Sequence, residues 1–352
     1  MSGVCHSRRQ ALYGLAGLLA SSPCLRAAQA PELVGEAPGR MTPIDEFANV
    51  PEFEEMARRS LSERAFRRIA GGDRSALERI TFRARMMVNT KALDLSLELF
   101  GQPMFAPILV GPASRQGQLH SDGELATAAG AAAAKATLVT AERSGAPFAK
   151  TIAAAPGAWR QVYPDSDVGA LSERIQAAVE AGARTICLSL GEERGGRGGV
   201  PVRYGWDVLE QLRDAATVPF VLKGVMQPAD ALEAAHRGIA GVVVSNHGTG
   251  QAQGEAEPVA VLPAIAEAVA GRLPLLVDGG FRRGGDVLKA IALGATAALV
   301  CRPVLWGLAA YGAAGVQKVV EMLQTELAKD MVQVGAVNLA AIRRDHIRIH
   351  SR

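Results

Sequence analysis

The chain is short of cysteine, almost without net charge and free of the usual metal spacings, and each shortage removes a class of function. It has four cysteines in 352 residues. Cys5 and Cys24 fall in a leader-like N-terminus, while Cys187 and Cys301 sit in apolar strand-like runs. Buried free thiols are therefore expected rather than a disulfide or a metal pair. No CxxC or HExxH spacing occurs, so no metal site is expected, and there is no haem motif. A formal net charge of +3 gives no basis for nucleic-acid binding or a polybasic membrane contact. No Gly-x-Gly-x-x-Gly opens a helix after the first strand-like run, which weighs against an open dinucleotide-binding sheet. No internal repeat is visible.

What is present points to a packed enzyme-sized core. Apolar residues make up 49% of the chain and charged ones 21%, so wholesale disorder is not expected. The 38 glycines and the long alanine runs suggest close helix–sheet packing and many turns. At the N-terminus, Ser7-Arg8-Arg9-Gln10-Ala11-Leu12 leads into an apolar run from Ala11 to Ala20, and Ala28-Gln29-Ala30 supplies an A-x-A cleavage site. Residues 1–30 read as a twin-arginine signal peptide, which implies export to the periplasm of a folded protein, often with its cofactor bound. A Sec signal with two incidental arginines is the alternative. The apolar stretch is too short for a transmembrane anchor, so no membrane span is expected after cleavage.

Beyond residue 100, apolar runs alternate with alanine-rich helical patterns. The runs are Pro107–Val110, Thr137–Thr140, Trp159–Tyr163, Thr185–Leu190, Pro219–Lys223, Gly241–Ser245, Leu273–Asp278 and Ala297–Cys301. Amphipathic stretches such as Asp122–Lys135, Val168–Ala181, Gln227–Arg237, Val259–Val269 and Gly285–Leu293 separate them. Eight such units in about 200 residues fit a closed α/β (β/α)8 TIM barrel over residues 101–352 better than an open doubly wound sheet. Residues 31–100 read as a short N-terminal helical cap packed on the barrel. Within it, Thr42–Ala70 forms two helices and Phe82–Leu99 an irregular or short-stranded collar.

In such barrels chemistry sits at the C-terminal strand ends, with phosphate after strands seven and eight. The strand-end residues here are Pro112-Ala113-Ser114, Ala141, Gln161, Tyr163, Ser189, Lys223, Ser245-Asn246-His247, Asp278-Gly279-Gly280, Arg282 and Arg302. That is a polar ring for the ends of apolar strands. Arg282 and Arg302, with backbone N–H groups at Gly279, Gly280 and Arg302, can grip a dianionic phosphate. The bland reading makes Arg282 and Arg283 solvated surface charges. Lys223, ending an apolar strand, needs an anionic partner: a reduced flavin or a structural ion pair. His247 is a general base or a satisfied core histidine, and its strand-end place beside Ser245 favours the base. Gln161 and Tyr163 alternate on one strand and so share the face toward the barrel mouth.

These residues, in this order and spacing, resemble the FMN-dependent α-hydroxy acid dehydrogenase and oxidase family from about Phe82 to the C-terminus. The likeness includes Pro112-Ala113-Ser114, His120-x-Asp122-Gly123-Glu124, Gln161-x-Tyr163, Lys223-Gly224, Ser245-Asn246-His247-Gly248, Asp278-Gly279-Gly280-x-Arg282-Arg283-Gly284, Arg302-Pro303, Gly315-Val316 and Arg344-x-His346-Ile347. The resemblance implies FMN as cofactor. Pro112, Ala113 and Ser114 would lie along the flavin, and Gln161, Ser189 and Ser245 would contact it. Lys223 would stabilise the reduced ring, Asp278 would bind the ribityl chain, and Gly279, Gly280, Arg282 and Arg302 would hold the phosphate. His247 would be the catalytic base, with Tyr163 near the substrate.

The chain departs from that family at the substrate. Gly250 stands where an arginine clamps the substrate carboxylate, and Gly191 where an aspartate orients the histidine, with Glu192 adjacent but off register. Arg67-Arg68 replace an expected Tyr-Tyr pair. Arg67, Arg194 and Arg197 are the candidate replacements for the clamp. The expected function is FMN-dependent oxidation of a small 2-hydroxy acid or related hydroxylated substrate. The resemblance also implies an electron acceptor outside the chain, and homo-oligomers occur in the family. The alternatives are an FMN-binding protein that has lost this turnover, or a flavoenzyme for a non-carboxylate substrate.

Overall fold

Acidic residues open the first long helix of the described chain and arginines close it, matching the helix dipole at both ends. The computed structural model describes residues 41–191, 204–247 and 256–351. The leader at 1–30, residues 31–40 of the cap, Glu192, Arg194, Arg197, Gly248 and Gly250 lie outside the described residues. From Pro43 onward the described residues form one compact unit.

The cap comprises α1 (Glu52–Ser60), α2 (Glu63–Phe66) and α3 (Ser75–Glu78). Phe53, Met56 and Ala57 share the buried face of α1 at helical spacing. The Ser62 hydroxyl caps α2 by accepting from the Ala65 N–H. Three short strands follow: β1 (Ile80–Phe82), β2 (Leu97–Leu99) and β3 (Gln102–Met104). Phe100 and Gly101 join β2 to β3 with φ of 54° and 73°, the positive pair that a two-residue hairpin needs.

Eight parallel strands then alternate with helices. They are β4 (Ile108–Val110), β5 (Thr137–Thr140), β6 (Trp159–Val162), β7 (Ile186–Ser189), β8 (Phe220–Val225), β9 (Gly241–Val244), β10 (Leu275–Asp278) and β11 (Ala297–Val300). Pairing of β9 with β10 and of β11 with β4 closes the barrel. The helices are α4 (Gly123–Ala133), α5 (Phe148–Ala154), α6 (Val168–Glu180), α7 (Trp206–Ala216), α8 (Pro228–His236), α9 (Pro258–Val269), α10 (Gly284–Ala292) and α11 (Arg302–Val334). A last strand, β12 (Ile347–Ile349), pairs antiparallel with β1. The expected (β/α)8 barrel is the observed fold.

The barrel interior explains where the chemistry lies. Leu109, Val139, Trp159, Cys187, Val221, Val243 and Leu276, with Ala297 and Leu299 of β11, bring every strand into a single apolar cluster. The β2–β3 hairpin packs Leu99, Met104 and Phe100 against it, with the Phe100 and Trp159 rings 5.4 Å apart. Two residues further along five of these strands, the same inward face carries Gln161, Ser189, Lys223, Ser245 and Asp278. An apolar floor thus supports a polar mouth.

The differences from expectation are local. Pro107, Thr185, Pro219 and Leu273 precede the observed strands and Tyr163, Leu190, Ser245 and Cys301 follow them, because the strand-like runs extend beyond the paired residues at one end or the other. Cys301 instead precedes α11 as its N-cap residue. Gly312 breaks α11 with φ of 58°, and a Cβ there would stand 3.0 Å from His120 Nε2. On α4, a Cβ at Gly130 would meet the Ala313 carbonyl at 2.5 Å, so the glycine permits close helix–helix contact. The Glu124 carboxylate accepts from the backbone N–H groups of Gln116 and Gly145, tying two βα loops together. Cys187 and Cys301 are free thiols, and burial pushes them up to about 12 and about 11, so both stay protonated and unreactive.

Candidate active site

A cavity of about 480 Å³ opens at the C-terminal end of the barrel. Of the residues expected in the site, Pro112, Ala113, Ser114, Gln161, Tyr163, Ser189, Lys223, His247, Asp278, Gly279, Gly280, Arg282 and Arg302 all line it. Ser245 lies directly beneath, bonded to two of them. Sequence-distant strand ends are thus brought into one concavity, as barrel closure requires.

Its floor is a buried polar triad. Lys223 Nζ stands 2.7 Å from Asp278 Oδ2 and donates to Ser245 Oγ at 2.9 Å, while the serine hydroxyl donates to Asp278 at 3.3 Å. The structural ion pair considered for Lys223 is therefore present. Burial opposes ionisation of Asp278, but Lys223, with His247 and Arg302 adding to it, holds the carboxyl below its ordinary range. Ser245 Oγ also accepts from the His247 backbone N–H at 3.2 Å, which ties the next turn to the triad.

His247 occupies left-handed backbone, φ 53°, an uncommon conformation for a non-glycine residue. Its Nε2 lies 2.6 Å from the Leu190 carbonyl oxygen, at the end of β7. Burial, then the nearby Lys223 charge, lowers the imidazole pKa below the ordinary histidine value, against opposition from Leu190 and Asp278. The ring is neutral at pH 7 and able to accept a proton. Tyr163 Oη reaches Gln161 Oε1 at 3.4 Å. The Tyr163 backbone N–H donates to Glu142 Oε2, and the Arg143 guanidinium lies 4.6 Å over its ring. Glu142 in turn accepts from Arg174 at 2.8 Å. Glu142 and Arg143 were not legible as site residues from sequence. Their only signal is their place just past the β5 strand end.

The phosphate end is built from backbone as much as from side chains. Gly279 and Gly280 have φ of 136° and 83°, open only to glycine without strain, and they turn the chain across the strand end. Arg282 is only 6% exposed, which excludes the solvated-surface reading for it, whereas Arg283 pairs with Glu326 at the half-exposed rim. Burial, with Arg302 adding to it, pushes the Arg282 guanidinium down to about 10. Its face stacks 4.8 Å from the Trp306 ring. Both guanidiniums donate to the Gly71 carbonyl, Arg282 at 2.5 Å and Arg302 at 2.6 Å. The same cap loop is held at Ile69 O by Trp306 Nε1 and at Gly71 N by Glu54. Arg67, Arg68, Ile69 and Ala70, on this loop, line the cavity.

Three features fit a phosphorylated flat heterocycle. Two hydroxyls facing the cavity region, Ser114 Oγ and Ser189 Oγ, are buried with no hydrogen-bond partner, and buried polar groups of this kind call for one. The paired arginines and glycine turn form an anion cradle. The cavity volume lies within the range of cofactor sites. Pro112–Ser114, Gln161, Ser189 and Lys223 would hold the ring, Asp278 the polar chain, and Gly279, Gly280, Arg282 and Arg302 the phosphate. Among the described residues there is no cluster of three or more metal-ligating side chains, and no helix is long and apolar enough to cross a membrane.

Comparison with known proteins agrees with this geometry. A family model described as FMN-dependent dehydrogenase matches residues 57–197 and 200–349. A peroxisomal (S)-2-hydroxyacid oxidase of Arabidopsis thaliana is 32% identical, over 87% of this chain and 97% of that protein. An L-lactate oxidase of Nostoc is 34% identical, over 86% of this chain and 98% of that one. A crystal structure of mandelate oxidase with (S)-2-phenylpropionate superposes with a TM-score of 0.81 at 32% identity, covering 87% of this chain and all of that one. The cradle, the orphaned hydroxyls and these matches lead to one assignment: the chain belongs to the FMN-dependent dehydrogenase family and is an FMN-dependent oxidoreductase.

Proposed function

We propose that this protein oxidises a small 2-hydroxy acid to the 2-oxo acid, with His247 as the base. The observation that carries this reading is the single cavity that runs from the arginine cradle to His247 and Tyr163. When bound there, FMN supplies an acceptor for two electrons and the α-hydrogen. His247, neutral at pH 7, takes the hydroxyl proton. Lys223 places positive charge at the ring end of the cavity, where it would favour the reduced cofactor, and Asp278 balances that charge in the pair seen here. Tyr163, fixed through Glu142 and Arg143, offers a hydroxyl toward the substrate. The similar oxidases act on (S)-2-hydroxy acids and L-lactate, which supports the substrate class.

The substrate carboxylate needs a cation, and the cavity supplies one through the cap. Asp278 is committed to Lys223, and Arg282 and Arg302 converge on the phosphate end. Arg67 also lines the cavity, but its charge is already paired with Glu63. Arg68 donates to a neutral acceptor, the amide oxygen of Gln118, and lines the same cavity. Arg68 is therefore the cap residue that meets the carboxylate in place of the arginine absent at Gly250.

Anaerobic mixing of the flavin-loaded protein with a panel of 2-hydroxy acids tests the proposal. Bleaching of the flavin is expected. Tight FMN with no bleaching across the panel would sink it in favour of a flavin-binding protein without this turnover, the reading that Gly191 and Gly250 favour. Bleaching by an uncharged alcohol alone would point to a non-carboxylate substrate. We also propose, from Arg8-Arg9 and Ala28-Gln29-Ala30, twin-arginine export to the periplasm. Replacing Arg8-Arg9 by Lys-Lys should trap precursor in the cytoplasm, and unaffected export would argue for the Sec route.

A further inference from the structure

The histidine has lost its carboxylate partner, yet its ring is not adrift. Nε2 lies 2.6 Å from the Leu190 carbonyl oxygen, and a carbonyl oxygen only accepts. The hydrogen of that bond therefore belongs to Nε2, and in the neutral ring the lone pair belongs to Nδ1. Among the described residues Nδ1 has no hydrogen-bond partner, and His247 lines the cavity, so Nδ1 is the ring nitrogen left to accept a proton.

Two glycines make the slot that allows this contact. A Cβ at Gly191 would stand 2.9 Å from His247 Nε2, and one at Gly224 would stand 2.5 Å from the same atom and collide with the Leu190 carbonyl. Their φ angles, 120° and 108°, are ones that side-chain-bearing residues rarely adopt. An aspartate at 191 would not fit beside the ring in this position. The glycine that removed the carboxylate also opened the path by which the ring reaches backbone. The charged groups that face the ring are Lys223 on β8 and Asp278 on β10.

We propose that the Leu190 carbonyl holds His247 as the Nε2–H tautomer, so that Nδ1 is the atom that accepts the substrate's hydroxyl proton. This rests on the oxidase reading given above. In the step, the O–H proton passes to Nδ1, the α-hydrogen leaves with two electrons to oxidised FMN, and the C–O bond becomes C=O. The imidazolium then returns its extra proton to water. Its second N–H points at a neutral carbonyl rather than a carboxylate, so the cation is stabilised less than in a carboxylate-paired histidine. The proton-accepting form consequently persists to lower pH.

Nitrogen-15 NMR of the flavin-loaded, histidine-labelled protein reads the tautomer directly, with His247→Gln identifying the resonances. The expected result is a protonated Nε2 and an unprotonated Nδ1 at neutral pH; a protonated Nδ1 overturns the proposal. A second measurement assigns the reacting atom. Site-specific replacement of His247 by Nδ1-methylhistidine blocks Nδ1 and leaves Nε2 able to act. Loss of flavin reduction by about 100-fold or more, with the bound-flavin spectrum unchanged, is expected from removing a general base. Retained reduction would place the base at Nε2 and overturn it. If the unmodified protein binds flavin and no 2-hydroxy acid bleaches it, the oxidase reading fails, while the tautomer result still stands or falls by the spectrum.

Discussion

The ammonium of Lys223 on β8 and the carboxylate of Asp278 on β10 lie 2.7 Å apart across the end of β9, with the lysine side chain only 5% exposed. Each neutralises the other where neither could remain charged alone. Lys223→Met should therefore strand a buried carboxylate, at a cost of about 3–5 kcal/mol of folding stability. Denaturant unfolding measures it. The double variant Lys223→Met, Asp278→Asn should recover much of the loss, and an additive double variant would mean the pair does not act as a unit.

His247→Gln should slow flavin reduction by roughly 100- to 10,000-fold, the usual worth of a general base. FMN affinity should change little, because His247 is not among the residues that build the cradle. Stopped-flow absorbance and fluorescence titration separate the two effects. Equal losses in both would show a structural rather than a chemical role.

Arg68→Ala should weaken binding of a non-oxidisable 2-oxo acid by about 10- to 100-fold, the cost of one charged hydrogen bond. Arg67→Ala should do much less, since Arg67 is already paired with Glu63 and both side chains are largely exposed. The perturbation of the flavin spectrum on ligand addition reports both. If Arg67 proves the stronger, the assignment moves to it.

Gly72→Ala should weaken FMN binding although Gly72 is not itself one of the residues that would hold the cofactor. A Cβ at Gly72 would collide with the Arg302 guanidinium, and φ of 125° there disfavours any side chain. Displacing one of two paired arginines should cost about tenfold in affinity. Quenching of FMN fluorescence gives the dissociation constant, and an unchanged value would mean that Arg302 is not needed at the phosphate.

Asp330 carries a pH dependence unrelated to catalysis. Burial, with Glu326 adding to it, pushes its carboxyl up to about 6. The folded chain thus holds this proton more tightly than the unfolded chain, whose aspartates titrate near 4. Its contribution is fully present below pH 4 and is lost as pH rises through about 6. Asp330→Asn should raise the melting temperature relative to the parent at pH 8 by a few degrees, and not at pH 4. An equal shift at both pH values would remove this carboxyl as the cause.

How much of this was legible beforehand follows from what kind of atom carries each feature. Gln161, Ser189, Lys223, Ser245 and Asp278 were readable because strand alternation places them two residues beyond the apolar layer. Glu142 and Arg143 were not, since nothing in a Glu-Arg pair after a strand separates a loop charge from a tyrosine's support. Arg68 was one of two neighbouring arginines, and only the fold pairs one with the Glu63 carboxylate and the other with an amide.

The sequence by itself determined the barrel, through eight apolar runs at regular spacing, and the flavin face, through the residues that end them. Only the tertiary structure decided what completes the site, because the completing groups are backbone. The Gly71 carbonyl joins cap to cradle by accepting from Arg282 and Arg302. The Leu190 carbonyl takes up the histidine. A carbonyl oxygen is present at every residue, so its identity carries no signal. Its role arises only when chain closure brings it within 3 Å of a donor that the sequence does mark.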